Sequence, residues 1–337
     1  MTEIESAWAQ IAEEGRAKPG WHARRVRLNS SCDIRAALLC PGETPAVLFS
    51  VSAQAIPHGA EYPDCVGFTV EAQPIVPGPT GSVRLCLVLN EPRYRDVFGT
   101  LAEDVASVVA NASGDSHAVR LLLGRLHTWQ RFVTEYGTGS LSEEAQTGLV
   151  AELMFLETRM LPVVPADVAV RSWRGPYGDP HDMELPGHSF EIKASTGRDP
   201  ATFRVSNLDQ LEPGANRPLT LVHVLLDGNS ESGPTLPEMV HRLRAAIAAT
   251  DPAASIDFDA SLIAAGYMDA HARFYTERRY LQRSERWFDV REEFPRLTRA
   301  TVPLGVGEAS YTVRLADCAA FERPAGIGTD DMNEIAA

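Results

Sequence analysis

The sequence predicts an α/β protein with more than one domain, and three features of it carry that reading. Residues 26 to 92 hold short apolar or alternating runs cut apart by Pro and Gly clusters such as "CPGETP" and "VPGPTG", the pattern of a sheet built from short strands. Two long stretches with apolar residues at helical spacing follow, up to about residue 136. From about 142 a helix leads into a row of strand-like runs ending at "PLTLVHVLLD", so helix and strand mix within one segment. The expected organisation is a β-rich N-terminal accessory domain closing in helices (1–138), a mixed α/β core flanked by helices (139–234) and a mostly helical C-terminal extension (235–337).

Taken in order, residues 1 to about 25 read as one amphipathic helix ending in "KPGW". "IRAALLC", "AVLFSVSAQAI", "GFTVEAQPIV" and "SVRLCLVLN" are the N-terminal strands, and "RYRDVFGTLAEDVASVVANA" and "SHAVRLLLGRLHTWQRFVTEYG" are helices. Gly137 and Gly139 punctuate, and Ser140 and Ser142 are candidate N-caps for a helix over 142–160. "VVPADVAVRSWRGP" reads as a strand and turn, "HDMELP", "HSFEIKAST" and "ATFRVSN" as successive strands, and "LDQLEP" as a turn. "LPEMVHRLRAAIAA" and "FDASLIAAGY" read as helices, "YTVRLADC" as a last strand and "GIGTDDMNEIAA" as a frayed tail.

Composition narrows the function. A chain of 337 residues with 44% hydrophobic and 23% charged residues can bury two proper cores. No basic stretch followed by an apolar run opens it, and no window nears the roughly 18 apolar residues of a membrane span, so a cytoplasmic protein with no membrane partner is expected. Five cysteines with no CxxC spacing argue against a zinc ribbon or a disulfide framework. The net charge of −14 speaks against a nonspecific nucleic-acid coat protein, yet leaves room for a local basic groove. There is no GxxxxGK[ST] and no GxSxG, so neither phosphate-loop nucleotide hydrolysis nor a serine nucleophile elbow is expected.

The chemistry concentrates around "HDMELPGHSFEIKAST". The chain has 29 arginines and two lysines, Lys18 and Lys193, and one of the two stands here. Glu191 and Lys193 are i and i+2 on a strand and share a face, while Phe190 and Ile192 point the other way. If the preceding strand pairs with this one, Asp182 meets them at one end of the sheet. Carboxylates that converge repel unless a cation joins them, and hard oxygen donors suit Mg²⁺ or Mn²⁺. In the helix "GLVAELMFLETRM" the stripe Leu149, Leu153, Leu156 and Met160 encloses Glu152, a costly place for a carboxylate without a partner. Glu157 falls off the stripe and reads as solvated. Lysine beside a metal-bound water could orient it, assist its deprotonation or stabilise a pentavalent phosphate, roles a planar, always-charged guanidinium fills less well.

An Asp, then Glu-x-Lys after a short hairpin, preceded by a helix carrying Glu, resembles the PD-(D/E)XK nuclease superfamily. More narrowly, "GLVAELMFLE", "SWRGPYGDPHDM", "FEIKAST" and "VSNLDQL", in that order, resemble a bacterial PD-(D/E)XK motif family linked to phage-defence and restriction-like gene clusters. The resemblance is strongest over 145–226. It implies a restriction-endonuclease-like core and a Mg²⁺-dependent DNA endonuclease. Asp182 and Glu191 would be metal ligands, Lys193 the catalytic lysine, Glu152 a support from the helix and Gln210 a polar residue beside the site. It also implies partner subunits such as ATPases and a DNA methyltransferase, and it allows a homodimer. The motif's proline is displaced by one position, Pro180 preceding His181. Two rivals remain: a non-cleaving DNA-binding or scaffold subunit that keeps the fold, and a nuclease for RNA or branched DNA.

His181 and His188 bracket the motif but have no nearby cysteine to complete a zinc site. Trp173 and Arg174 read either as packing or as contacts to a DNA backbone, and Ser195 and Thr196 as bonding the sheet or a phosphate. The segment 271–299 holds eight arginines against five acidic residues, interleaved with aromatics; it suits phosphate contact or a salt-bridged amphipathic helix.

Overall fold

The structure is a computed structural model, and it describes residues 2–14, 19–75, 81–196, 202–214, 217–228 and 230–326. The chain divides into two compact units, Met1–Ser140 with Met268–Ala270, and Leu141–Tyr267 with His271–Ala337.

The first unit begins with α1 (Glu3–Glu13), started by a capping box between Thr2 and Glu5. The single helix expected to about residue 25 is shorter, because β1 (Gly20–Val26) takes up "GWHARRV" and pairs with β2 (Asp33–Cys40). With β3 (Thr44–Ser52), β4 (Phe68–Pro74) and β5 (Ser82–Leu89) they form an antiparallel sheet ordered β1-β2-β3-β5-β4. Helices α2 (Arg95–Ala110) and α3 (Asp115–Tyr136) follow where helical spacing predicts them. A polar knot ties them together: the nearly buried Arg125 donates twice to Asp104 at 2.6 Å, and Trp129 Nε1 donates to the same carboxylate at 2.8 Å.

The second unit opens with α4 (Glu143–Phe155), capped by Ser142, whose hydroxyl accepts from Ala145 N. The helical path runs on through a π-helical turn, Leu156–Met160. The expected strand in "VVPADVAVRSWRGP" is instead helix α5 (Ala166–Ser172). Pro165 sits at its N-cap, and Ala169, Val170 and Ser172 make its buried face. A hairpin of β6 (Met183–Leu185) and β7 (His188–Thr196) turns at Pro186–Gly187, then come β8 (Thr202–Val205) and β9 (Leu219–Asp227). Helices α6 (Leu236–Thr250) and α7 (Pro252–Ala264) follow, then β10 (Leu281–Val290), β11 (Tyr311–Arg314) and β12 (Glu322–Arg323).

The main sheet is ordered β12-β10-β9-β7-β6. β7 and β9 run parallel with Glu191 opposite Leu221, while the other pairs are antiparallel. A mostly helical C-terminal extension is therefore a correction to make: residues 281–290 form a strand beside β9, so the run 139–234 holds only β6, β7 and β9 of this sheet. "LQRSERWFDV" buries Trp287, Phe288 and Val290, and β9 has apolar residues on both faces, as a central strand must. β8 and β11 form a separate two-stranded sheet. Most of the tail, 327–337, lies outside the described residues, as does Lys18.

Candidate active site

The hairpin fixes the site's first residues. Asp182 directly precedes β6, and Met183 pairs with Phe190, so the register brings Asp182 opposite Glu191 and next to Ile192 on the neighbouring strand. Its Oδ2 accepts from Ile192 N at 2.7 Å. Its own carbonyl accepts from Arg174 N at 2.8 Å and Gly175 N at 3.1 Å. A methyl group at Gly175 would lie 2.8 Å from Asp182 Oδ1 and 3.4 Å from Glu152 Oε2. That glycine is what lets the loop pass between the two carboxylates.

Phe190 and Ile192 face the core, as alternation requires, while Glu191 and Lys193 share the other face. Glu191 is wholly buried and Lys193 is 2.7 Å from its Oε1. The lysine ammonium also donates to Gln210 Oε1 at 3.1 Å, an oxygen that in turn accepts from Ser206 N at 2.7 Å. Glu152 comes from α4, and the stripe Leu149, Leu153, Leu156 and Met160, which runs from α4 into the π-helical turn, is buried as expected. Trp173, fully buried and 6.0 Å from the Phe258 ring, donates its Nε1 to Glu152 Oε2 at 2.7 Å. Trp173 thus packs in the core and orients Glu152.

Each carboxylate has one oxygen engaged: Asp182 Oδ2 by Ile192, Glu152 Oε2 by Trp173 and Glu191 Oε1 by Lys193. Among the described residues, Asp182 Oδ1, Glu152 Oε1 and Glu191 Oε2 are left over; both Glu191 oxygens are buried without a well-formed hydrogen bond, Oε1 being held by its ion pair with Lys193 alone. Burial, then the Asp182 charge, pushes Glu152 up to about 8. Burial raises Asp182, and burial with the neighbouring Asp182 charge raises Glu191 well above the carboxylate range. Burial works against the Lys193 charge, but Glu191, Asp182 and Glu152 together outweigh it and raise its pKa. A lysine so surrounded is an ammonium at neutral pH.

Glu152, Asp182, Lys193 and Gln210 line a cleft of about 520 Å³, with Arg204 and Arg278 on its wall. Arg278 is 2.6 Å from Glu143, a residue that is mostly exposed. Glu191 is not among the lining residues; it touches the cleft's chemistry through Lys193 and through its charge. No group of three or more His, Cys, Asp or Glu side chains among the described residues is placed to hold a metal ion. The donor chemistry nevertheless fits a hard divalent cation: three carboxylates repel one another here, and each has an oxygen to offer.

The other candidates lie elsewhere. His181 Nε2 is 3.2 Å from the Glu212 carbonyl, and His188 Nε2 is 2.8 Å from Thr220 Oγ1 with its ring against Phe190; neither histidine joins the carboxylates. Ser195 Oγ is 2.9 Å from His223 Nε2, a bond within the sheet, while Thr196 is exposed and lines the cleft. Arg174 is 2.6 Å from Asp179, and Glu157, expected to be solvated, is paired with Arg242. Within 271–299 the arginines are mostly neutralised: Arg278, Arg279, Arg283, Arg286 and Arg299 each pair with a carboxylate, and Arg273 and Arg291 lie over aromatic rings. Sequence reasoning missed Gly175, Arg204 and Arg278. Only the Gly-Pro step in "SWRGP" hinted at the first; Arg278 lies in the arginine-rich segment 271–299 read as suited to phosphate contact, without being placed at the site, and nothing in the local pattern marks Arg204.

A mixed sheet with Asp at the mouth of a hairpin, Glu-x-Lys on its second strand and a helix supplying Glu defines a nuclease-like α/β unit. A family profile described as "Putative PD-(D/E)XK family member, (DUF4420)" matches residues 4–316, nearly the whole chain, and the chain belongs to that family. No curated protein and no solved structure matches it. No helix among the described residues is long and apolar enough to cross a membrane.

Proposed function

We propose that this chain is a divalent-metal-dependent endonuclease that hydrolyses phosphodiester bonds of DNA in the cleft beside β7. The observation that carries the reading is the set of three carboxylates, each with one oxygen fixed by the protein and one left over, around a buried lysine. Asp182 and Glu191 would hold Mg²⁺ or Mn²⁺, with Glu152 assisting. When bound, the ion supplies charge for the scissile phosphate and lowers the pKa of an attacking water.

The chain's own residues do the rest. Ile192 N and Trp173 Nε1 hold Asp182 and Glu152 in one orientation, so little reorganisation accompanies reaction. Lys193, an ammonium kept in place by Glu191 and Gln210, positions the water and offsets charge on the phosphoryl oxygens. Its raised pKa favours that role over proton abstraction. Arg204 and Arg278 on the cleft wall take the flanking phosphates. The family resemblance further supports a place in an antiphage, restriction-like system beside ATPase and methyltransferase subunits.

The rival reading, a non-cleaving DNA-binding subunit, draws support from the absence of a preassembled ligand group among the described residues and from the net charge of −14. Purified protein incubated with supercoiled plasmid and Mg²⁺ or Mn²⁺ separates the two. Nicking by wild type, lost in Lys193→Ala and Asp182→Ala, is expected. Equal nicking by all three proteins would mean a contaminant, and would remove the catalytic reading.

A further inference from the structure

A second cavity, of about 720 Å³, is larger than the cleft. Its lining is interleaved in sequence with the candidate active site. His181 precedes Asp182, Ser189 is two residues before Glu191 on the same strand face, and Asp209 precedes Gln210. Whatever fills this cavity therefore sits beside the group held in the cleft. The walls include Pro180, Pro186 and Pro213, which are flat and apolar.

The polar groups are few. Ser189 is fully buried, and its hydroxyl has no hydrogen-bond partner among the described residues. A buried hydroxyl left unsatisfied is uncommon and marks a place where a ligand or water completes the bonding. Arg217 donates to Glu184 at 2.8 Å, and Glu184 Oε1 is 3.6 Å from His181 Nδ1. Glu212 lies 4.0 Å from Arg296, and Asp209 is neutralised by Arg299. Each of the three carboxylates thus has an arginine partner, and the cavity carries no surplus positive charge with which to hold a free phosphate or other anion. A neutral, planar ligand with donors and acceptors on one edge suits the set: carboxylates accept from ring or exocyclic N–H groups, and the guanidinium and hydroxyl donate to ring nitrogens or carbonyls.

Resting on the nuclease reading above, we infer that this cavity receives an unstacked nucleobase of the DNA strand, from a nucleotide next to the scissile phosphate. The enzyme then takes hold of its substrate at two adjoining points, a phosphate in the cleft and a base in the cavity, at the expense of unstacking that base.

The test scans 2-aminopurine, which brightens when unstacked, along a DNA oligonucleotide bound by the full chain. Wild type is compared with Asp182→Asn, Arg217→Ala and Glu212→Ala; the last two side chains are partly exposed, so both variants should fold. The expected result is brightening confined to one position in wild type and Asp182→Asn. Arg217→Ala or Glu212→Ala should weaken it, with binding about fivefold poorer or worse. Brightening at no position, or brightening that both cavity variants leave unchanged, overturns the inference. Cleavage is read in the same samples. Cleavage without brightening removes the base site and leaves the nuclease, whereas brightening without cleavage by wild type keeps the base site and removes the nuclease.

Discussion

Replacing Glu191 by Gln should stabilise the protein while abolishing activity. Glu191 is fully buried, its Oε2 has no partner, and burial with the Asp182 charge raises its pKa well above the usual range. An unsatisfied buried polar group costs about 1–3 kcal/mol, more when it is charged, and the amide, unlike the carboxyl, has no charged form to desolvate beside Asp182 and Glu152. Lys193 loses its 2.7 Å partner but keeps Gln210 Oε1 at 3.1 Å and the nearby Asp182 and Glu152. The balance favours the variant by about 1–2 kcal/mol, a rise of roughly 2–8 °C in the unfolding temperature of a unit this size. Calorimetry with and without Mg²⁺ reads it. At about ten times its dissociation constant the ion should stabilise wild type by about 1.4 kcal/mol and the variant by much less. A structural ion pair predicts the opposite sign, because breaking a buried pair costs about 3–5 kcal/mol. A variant destabilised by that amount would refute the functional assignment of Glu191.

Lys193→Arg should lose nearly as much nicking activity as Lys193→Ala, about 100-fold or more, because the larger planar group cannot sit at one point between Glu191 and Gln210; a variant with wild-type activity would point to a simple ion pair. Gly175→Ala should push Asp182 aside, since the added carbon would lie 2.8 Å from Oδ1; the expected outcome is lost activity at a stability cost of about 1–3 kcal/mol, checked by nicking and denaturant titration. His223 gives a pH test. Burial, then the Arg286 charge, lowers it from 6.5 to about 4, so the folded chain keeps it neutral while the unfolded chain takes up a proton below about 6.5. Stability from this group is intact above that pH and is lost as pH falls toward 4, by about 3 kcal/mol in all. Unfolding free energies of wild type and His223→Gln should converge by that amount between pH 7 and 4; parallel curves would refute the assignment.

The carboxylate–lysine cluster was legible because strand alternation and helical spacing are local rules. Glu191 and Lys193 share a face at i and i+2, and Glu152 interrupts an otherwise apolar stripe. Three elements were misread; β1 was absorbed into the helix before it, and the other two failed for physical reasons. "ADVAVRS" is too short for its period to tell helix from strand, and Pro165 at the cap decided it. "LQRSERWFDV" presents enough charge to pass for a solvated helix, yet its strand lies beside β9 and its arginines answer acids distant in sequence, Asp227 and Glu322. Gly175 and Arg204 reach the site through tertiary contacts alone, and so does the placement of Arg278, whose arginine-rich segment was legible but whose position beside β7 no local pattern encodes.

The place of β10 in the sheet has a consequence for how the protein is made. The hairpin bearing Asp182, Glu191 and Lys193 leaves the ribosome long before the strand that flanks β9, at Leu281–Val290. Until that strand arrives, "LTLVHVLLD" offers one bare, apolar edge, the kind of edge that pairs with other chains. A nascent or prematurely terminated chain therefore lacks a finished sheet under its cluster of carboxylates.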